Sequence, residues 1–246
     1  MKPAVLVSGA TGFLGAEIAR KLAARGHALH ALVRPGADKS ALAGLDVTWH
    51  TGDLRDEASL LRAFERVTAA HERPWVVHAG ALISYQTRDG ALSREINVEG
   101  TRRMLDACRR HRVGRVLHVS SVVAVGPSLS GATLDEDSPY EGAFLRCDYM
   151  TTKREAEVLA LRAADELDVV AACPGAIFGA NGRASNTQRV LRMIASGRTG
   201  PLPFLLAPPG AQSVVALDDC AEGCVLALER GARGRRYLLV ESVWSH

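Results

Sequence analysis

The sequence predicts an α/β protein built on a doubly wound parallel sheet, with a small C-terminal lobe. Three observations carry this. Short apolar runs bounded by turn residues alternate with amphipathic stretches as far as Pro174, a glycine-punctuated turn joins the first run to the first amphipathic stretch, and the composition then shifts toward Gly, Pro and Asn. Strands that alternate with helices argue for a parallel sheet covered on both faces. In such a sheet, ligands bind at the carboxyl ends of the strands.

The elements follow in order. Residues 4–7 form a buried apolar strand, and Gly9, Gly12 and Gly15 punctuate the turn behind it. Leu14, Ile18 and Leu22, with Ala19 and Ala23, share one helical face, and Gly26 follows a basic last turn, as a helix stop should. Residues 28–33 read as the second strand, 47–50 as the third, 58–68 as a helix and 75–79 as the fourth strand. A long helix is expected over 88–112, interrupted at Gly100, then a fifth strand over 116–120. Residues 149–167 read as a helix and 169–173 as a strand stopped by Pro174-Gly175. Beyond it we expect a helix over 186–196, an apolar loop PLPFLLAPPG, a strand at 214–217, a helix at 218–229 and a strand at 237–240. The resulting division is a Rossmann-type dinucleotide-binding domain over 1–174 and a small substrate-side lobe over 175–246 that partly returns to the first domain's core.

Composition narrows the function classes. With 47% hydrophobic and 23% charged residues the chain reads as an ordinary globular protein, and its net charge of +3 is too small for a nucleic-acid footprint. The arginine-rich segments 109–115 and 230–236 sit beside helix ends and read as solvated faces. No apolar run approaches the roughly 20 residues of a membrane span, and the first strand leaves no room for a leader. The five cysteines show no CxxC pairing, with Cys220 and Cys224 expected in or near the core, and the eight histidines lack metal-ligand spacing. The expectation is a cytoplasmic protein without metal, nucleic acid or membrane partner.

The strand ends carry the chemistry. A turn without β-carbons brings backbone N–H groups close to a phosphate, and the positive end of the following helix favours the anion, so Gly9-x-x-Gly12-x-x-Gly15 is a candidate pyrophosphate cradle. Asp53 in TGDLRD could accept from an adenine amino group or cap the next helix. Ser120 and Ser121 end the fifth strand. Tyr149 and Lys153 lie one turn apart on one helix face. A tyrosine titrates near pH ~10 and needs a nearby cation to exchange protons near neutrality, which Lys153 could supply. Arg34, nineteen residues beyond Gly15, stands where an arginine accommodates a 2′-phosphate and an acid would select NAD; Asp38 lies close by. NADP(H) is therefore favoured over NAD(H).

The set VSGATGFLG, GDL, VVHAGA, INVEGT, HVSSVVAVG, YMTTK and CPGAIFG, in this order, resembles the extended short-chain dehydrogenases/reductases, near the dihydroflavonol-reductase-like and sugar-epimerase-like members, from about residue 3 to about 240. The resemblance implies an enzyme with Tyr149 as general acid/base, Lys153 as its partner and a holder of the nicotinamide ribose, Ser121 as donor to the substrate oxygen and Asn97 as a proton-relay residue. It implies a cofactor site made by Gly9, Thr11, Gly12, Phe13, Leu14, Gly15, Arg34, Asp53, Leu54, Ala79, Gly80, Ala81, Lys153 and Pro174. The helices at 88–112 and 149–167 resemble those that pair in family homodimers. Val122 and Val123 stand where the family's dehydratases place an acidic pair, which disfavours dehydration. Arg34 and the apolar PLPFLLAPPG favour reduction of a ketone or aldehyde of a small or polyketide-like substrate, although Arg189 and Arg192 could meet a diphosphate. The alternatives are a nucleotide-sugar epimerase and a non-catalytic dinucleotide-binding protein. Members of this branch continue past the strand at 237–240, whereas this sequence stops at ESVWSH, so the expectation is a shortened lobe, a truncated sequence or a site covered by another subunit.

Overall fold

The computed structural model describes residues 2–180 and 211–245. Among these residues the strands are β1 (Val5–Ser8), β2 (Leu29–Val33), β3 (Val47–Thr51), β4 (Trp75–His78), β5 (Arg115–Val119), β6 (Val169–Pro174), β7 (Ala176–Phe178), β8 (Ala211–Ala216), β9 (Arg236–Leu239) and β10 (Ser242–Ser245). The α-helices are α1 (Phe13–Ala24), α2 (Glu57–Ala70), α3 (Gly90–Arg94), α4 (Gly100–Arg110), α5 (Asp148–Arg162) and α6 (Leu217–Arg230). Seven strands form a parallel sheet in the order β3-β2-β1-β4-β5-β6-β9, and β10-β8-β7 form a smaller one. The order reverses between β1 and β4, so a crevice opens at their carboxyl ends.

The helices cover both faces. One core packs Ile18 and Leu22 of α1 and Val225 and Leu228 of α6 against Val5, Val7, Leu117 and Val170 of the sheet. The other packs Leu60, Phe64 and Val67 of α2, Met104 of α4 and Ala160 of α5 against Leu6, Val76, Val116 and Val169. Each such Val, Leu, Ile, Phe or Met contributes about 1.5–3 kcal/mol on burial. Cys220 and Cys224 are fully buried in the first core, and all five thiols are free.

Three differences from the sequence reading have physical causes. The long helix is interrupted before Gly100 by a π-helical segment, Glu95–Glu99, which turns Asn97 inward; such segments concentrate at functional sites. β6 runs through Pro174, which ends the strand where its missing N–H removes no needed bond, and Gly175 N–H takes over by donating to Leu239 O at 3.0 Å. β7 and β10, for which the sequence suggested no element, both pair with β8, β10 antiparallel and β7 parallel. The helix expected at 186–196, PLPFLLAPPG, Arg189 and Arg192 lie outside the described residues. No helix among the described residues is long and apolar enough to cross a membrane.

Candidate active site

The crevice at the β1–β4 switch is built first from backbone. Gly9 has φ +71°, a conformation that favours glycine, and a β-carbon on it would lie 2.8 Å from the backbone of Ala79 and Gly80. A β-carbon on Gly15 would collide with the Gly9 carbonyl oxygen. Gly12 is the N-cap of α1, no side chain caps it, and the first turn holds no acid, so the positive end of the helix meets no carboxylate of its own. The turn thus brings bare backbone to an uncapped helix start, and Thr11, Phe13 and Leu14 run from it into α1. Ala79, Gly80 and Ala81 follow β4 on the far wall, Leu54 packs on Gly80, and Pro174 ends β6.

A buried polar chain fastens this wall to the helices behind it. Gly80 N–H donates to Ser8 Oγ (3.2 Å), Ser8 Oγ meets His78 Nδ1 (2.8 Å), and His78 Nε2 meets Thr101 Oγ1 (3.0 Å). Thr101 spends its single proton on the Asn97 carbonyl at 2.6 Å. His78 Nε2 therefore donates, and its Nδ1 accepts from Ser8. Burial, aided by the charge of Lys153, pushes His78 down to about 3, so the ring stays neutral.

The second wall is made of side chains. Ser121 caps the short 3-10 turn Val122–Ala124, and its hydroxyl lies beside the Tyr149 phenol near the start of α5. Ser120 turns inward beside Cys173, which distinguishes the two serines. Tyr149 is buried, and burial pushes its phenol above the usual value, with Tyr85 adding to the rise and Ser121 opposing it. Tyr85 packs edge-on against it at 5.2 Å between ring centroids. Lys153 is buried one turn further on, and its Nζ donates to the Val119 carbonyl at the end of β5 (2.8 Å). Burial lowers it to about 8, with Cys173 and Glu157 opposing the fall. The ammonium thus faces β5 and is not among the groups that shift Tyr149. Asn97 is engaged as a staple: its amide accepts from Leu82 N–H (2.7 Å) and donates to Leu82 O (3.0 Å) and Thr152 Oγ1 (3.2 Å).

At the β2–β3 end, Arg34 is exposed just past β2. Asp53 is tied to Arg55 by two side-chain bonds of 3.1 and 2.9 Å, which hold its carboxyl below the usual range. The cap of α2 is Asp56, which accepts from Ser59 N–H at 3.2 Å, so capping does not explain Asp53. Asp38 accepts from Ser40 N–H at 2.9 Å. A separate cavity of about 800 Å³, lined by Arg73, Arg109, Arg112 and Asp168 among others, contains none of the expected site residues.

Comparison with known proteins meets this geometry. A sequence model of the NAD dependent epimerase/dehydratase family matches residues 5–239. The chain belongs to that family. As a member it is an enzyme of the extended short-chain dehydrogenase/reductase type, a nicotinamide-dinucleotide family. It is 37% identical over 238 residues to sterol demethylase protein B of Methylococcus capsulatus, covering 95% of this chain and 68% of that protein. It is 31% identical over 234 residues to 2-alkyl-3-oxoalkanoate reductase of Stenotrophomonas maltophilia, covering 94% and 66%. A crystal structure of a nucleoside-diphosphate-sugar epimerase from Pseudomonas aeruginosa superposes with a TM-score of 0.80 at 27% identity, covering 100% of this chain and 74% of that one.

Sequence reasoning missed Tyr85, His78 and Glu157. Tyr85 sits in a loop without periodicity and left no signal. Glu157 did leave one, since it falls on the buried face of α5 one turn beyond Lys153 and two beyond Tyr149.

Proposed function

We propose that the chain reduces a ketone or aldehyde of a small or polyketide-like substrate, with NADP(H) as cofactor and Tyr149 as general acid. The observation that carries this is the placing of the buried Tyr149 phenol beside Ser121 past the end of β5, at the same carboxyl ends of the strands as the glycine turn. The glycine turn with Thr11, Phe13 and Leu14 would hold the pyrophosphate, Asp53, Leu54, Ala79, Gly80 and Ala81 would line the adenosine side, and Lys153 and Pro174 the nicotinamide side. When bound, the nicotinamide supplies the hydride to the carbonyl carbon. Ser121 donates a hydrogen bond to the carbonyl oxygen, and Tyr149 gives that oxygen its proton. The phenol is protonated at neutral pH, the state a proton donor needs. Lys153, at about 8, is a cation at neutral pH, anchored on Val119 O, and would meet the nicotinamide ribose rather than the phenol. Asn97 acts in this reading by holding the 82 loop and α5 together, behind any relay of protons.

Arg34, exposed just past β2, would supply the positive charge a 2′-phosphate needs, while Asp38 accepts from Ser40 N–H. The name of the Stenotrophomonas relative supports an oxo group on an alkyl body; the name of the Pseudomonas structure favours the second reading, a nucleotide-sugar epimerase. We also read α4 and α5 as the faces of a homodimer, for which sedimentation velocity is the check. The deciding experiment titrates the protein with NADPH and NADH and follows single-turnover oxidation against ketones, aldehydes and a nucleotide sugar. The expected result is NADPH bound at least about tenfold tighter and oxidised by a carbonyl substrate. Epimerisation of the nucleotide sugar without net oxidation would assign the second reading, and tight binding without turnover of any substrate would move weight to a non-catalytic protein.

A further inference from the structure

Glu157 is a carboxylate with no exposure to water, and the mechanism above does not use it. Its Oε1 accepts from Arg236 Nη1 at 3.1 Å and from Arg154 at 3.5 Å, and its Oε2 accepts from the Cys173 thiol at 3.0 Å. A buried charge persists only where its partners hold it, and here the chief partner, Arg236, is itself nearly buried at the start of β9. The rest of the Arg236 guanidinium reaches a loop: Nε donates to Glu136 O at 2.7 Å and Nη2 to Ser138 O at 3.2 Å. Glu136 returns the contact by accepting from Leu238 N–H at 2.9 Å. That loop belongs to the segment that leaves the end of β5 at Ser121 and comes back at Tyr149.

A second tie pins the same segment to the same helix face. Arg154, one turn before Glu157, lies over the Tyr140 ring at 4.9 Å and donates to Ala124 O at 3.2 Å. α5 thus carries Tyr149 and Lys153 and, on neighbouring positions, grips the chain that joins Ser121 to Tyr149.

We propose that Glu157 and Arg236 are positioning residues, a buried clasp that seats the segment between Ser121 and Tyr149 and so shapes the substrate side of the pocket. The inference rests on the reading of Tyr149 and Ser121 as the reacting pair only for its kinetic consequence; the clasp is testable without it. The experiment is hydrogen exchange of the substrate-free protein, paired with kinetics on the carbonyl substrate, for Arg236→Met, Arg236→Lys and Glu136→Ala. Glu136 lies at the surface end of the clasp, so its variant keeps the core pair intact if Arg236→Met fails to fold. Exchange over 127–141 is expected to quicken at least about tenfold in Arg236→Met and Glu136→Ala, with partial restoration in Arg236→Lys. KM for the carbonyl is expected to rise about fivefold or more while kcat stays within about twofold and NADPH affinity is unchanged. Unchanged exchange over 127–141 would overturn the clasp even if the reductase reading holds. A fall in kcat at constant KM would overturn its role on the substrate side. Faster exchange in a protein that turns over no carbonyl would leave the clasp standing and sink the reductase reading instead.

Discussion

The two ends of the crevice are made of different materials. At the β1–β4 end the wall is backbone, and its demand is the absence of side chains: a β-carbon at Gly9 or Gly15 runs into the main chain. At the β5–α5 end the wall is side chains held out of water, with Tyr149, Lys153 and Glu157 all buried. The first end selects by shape and the second by charge. Shape can be spoiled by one carbon and charge by one proton, so the two ends should fail in different ways.

The sharpest way to break the comparison is at the glycines. Gly15→Val should weaken dinucleotide binding about a hundredfold, corresponding to roughly 3 kcal/mol of overpacking, with the fold retained; calorimetric titration reads it. Binding at wild-type strength would mean that the turn is no cradle.

His78, the joint between the two ends, responds to acid. Its folded value of about 3 lies below the unfolded value of about 6.5, so the unfolded chain takes up the proton first as pH falls. The stability His78 contributes is whole above pH ~6.5 and drains toward its folded value, about 2 kcal/mol of it between pH 7 and 5. Urea unfolding at the two pH values, in wild type and His78→Gln, should show a pH dependence that is smaller in the variant by that amount. His30 and His50, which meet across β2 and β3 at 2.9 Å and are likewise lowered by burial, add in the same direction in both proteins.

The charge end should show an alkaline limb. Lys153 loses its proton near pH 8, so the rate of reduction should be level below that pH and fall by about tenfold for each unit above it. The limb should vanish in Lys153→Met, whose residual rate is low and flat. The smallest effect is expected at Arg34, where Arg34→Ser should weaken NADPH about fivefold, close to 1 kcal/mol, and leave NADH unchanged; an equal loss for both would return the cofactor preference to open.

How much was legible follows the same division. The backbone end could be read because glycine spacing and strand-helix alternation are properties of the chain itself, and β1 to β6 appear within a few residues of their expected positions. The pairing of Tyr149 with Lys153 could be read from helical spacing, but not that Lys153 would point to Val119 O, since the direction of a long side chain depends on what β5 presents to it. Asp53 and Asp56 are both acids before α2, and only the folded turn shows that the second caps it. β7 is three residues after Pro-Gly and β10 lies in an unpatterned tail; each exists because β8 offers an edge, a fact no local pattern contains. Asn97 sat within an apparently regular helix, and neither the π segment it occupies nor its bonds to Leu82 leave a mark in the local pattern.

The central claim is that a dinucleotide held by the glycine end is used by the phenol of the charge end. The most direct measurement is a pair on Tyr149→Phe: the NADPH dissociation constant and the single-turnover rate of NADPH oxidation by a carbonyl substrate that the wild type reduces. Binding within about twofold of wild type, with oxidation slowed by about a hundredfold to ten-thousandfold, is the result expected. Oxidation at the wild-type rate in Tyr149→Phe would contradict it, because the proton would then come from elsewhere.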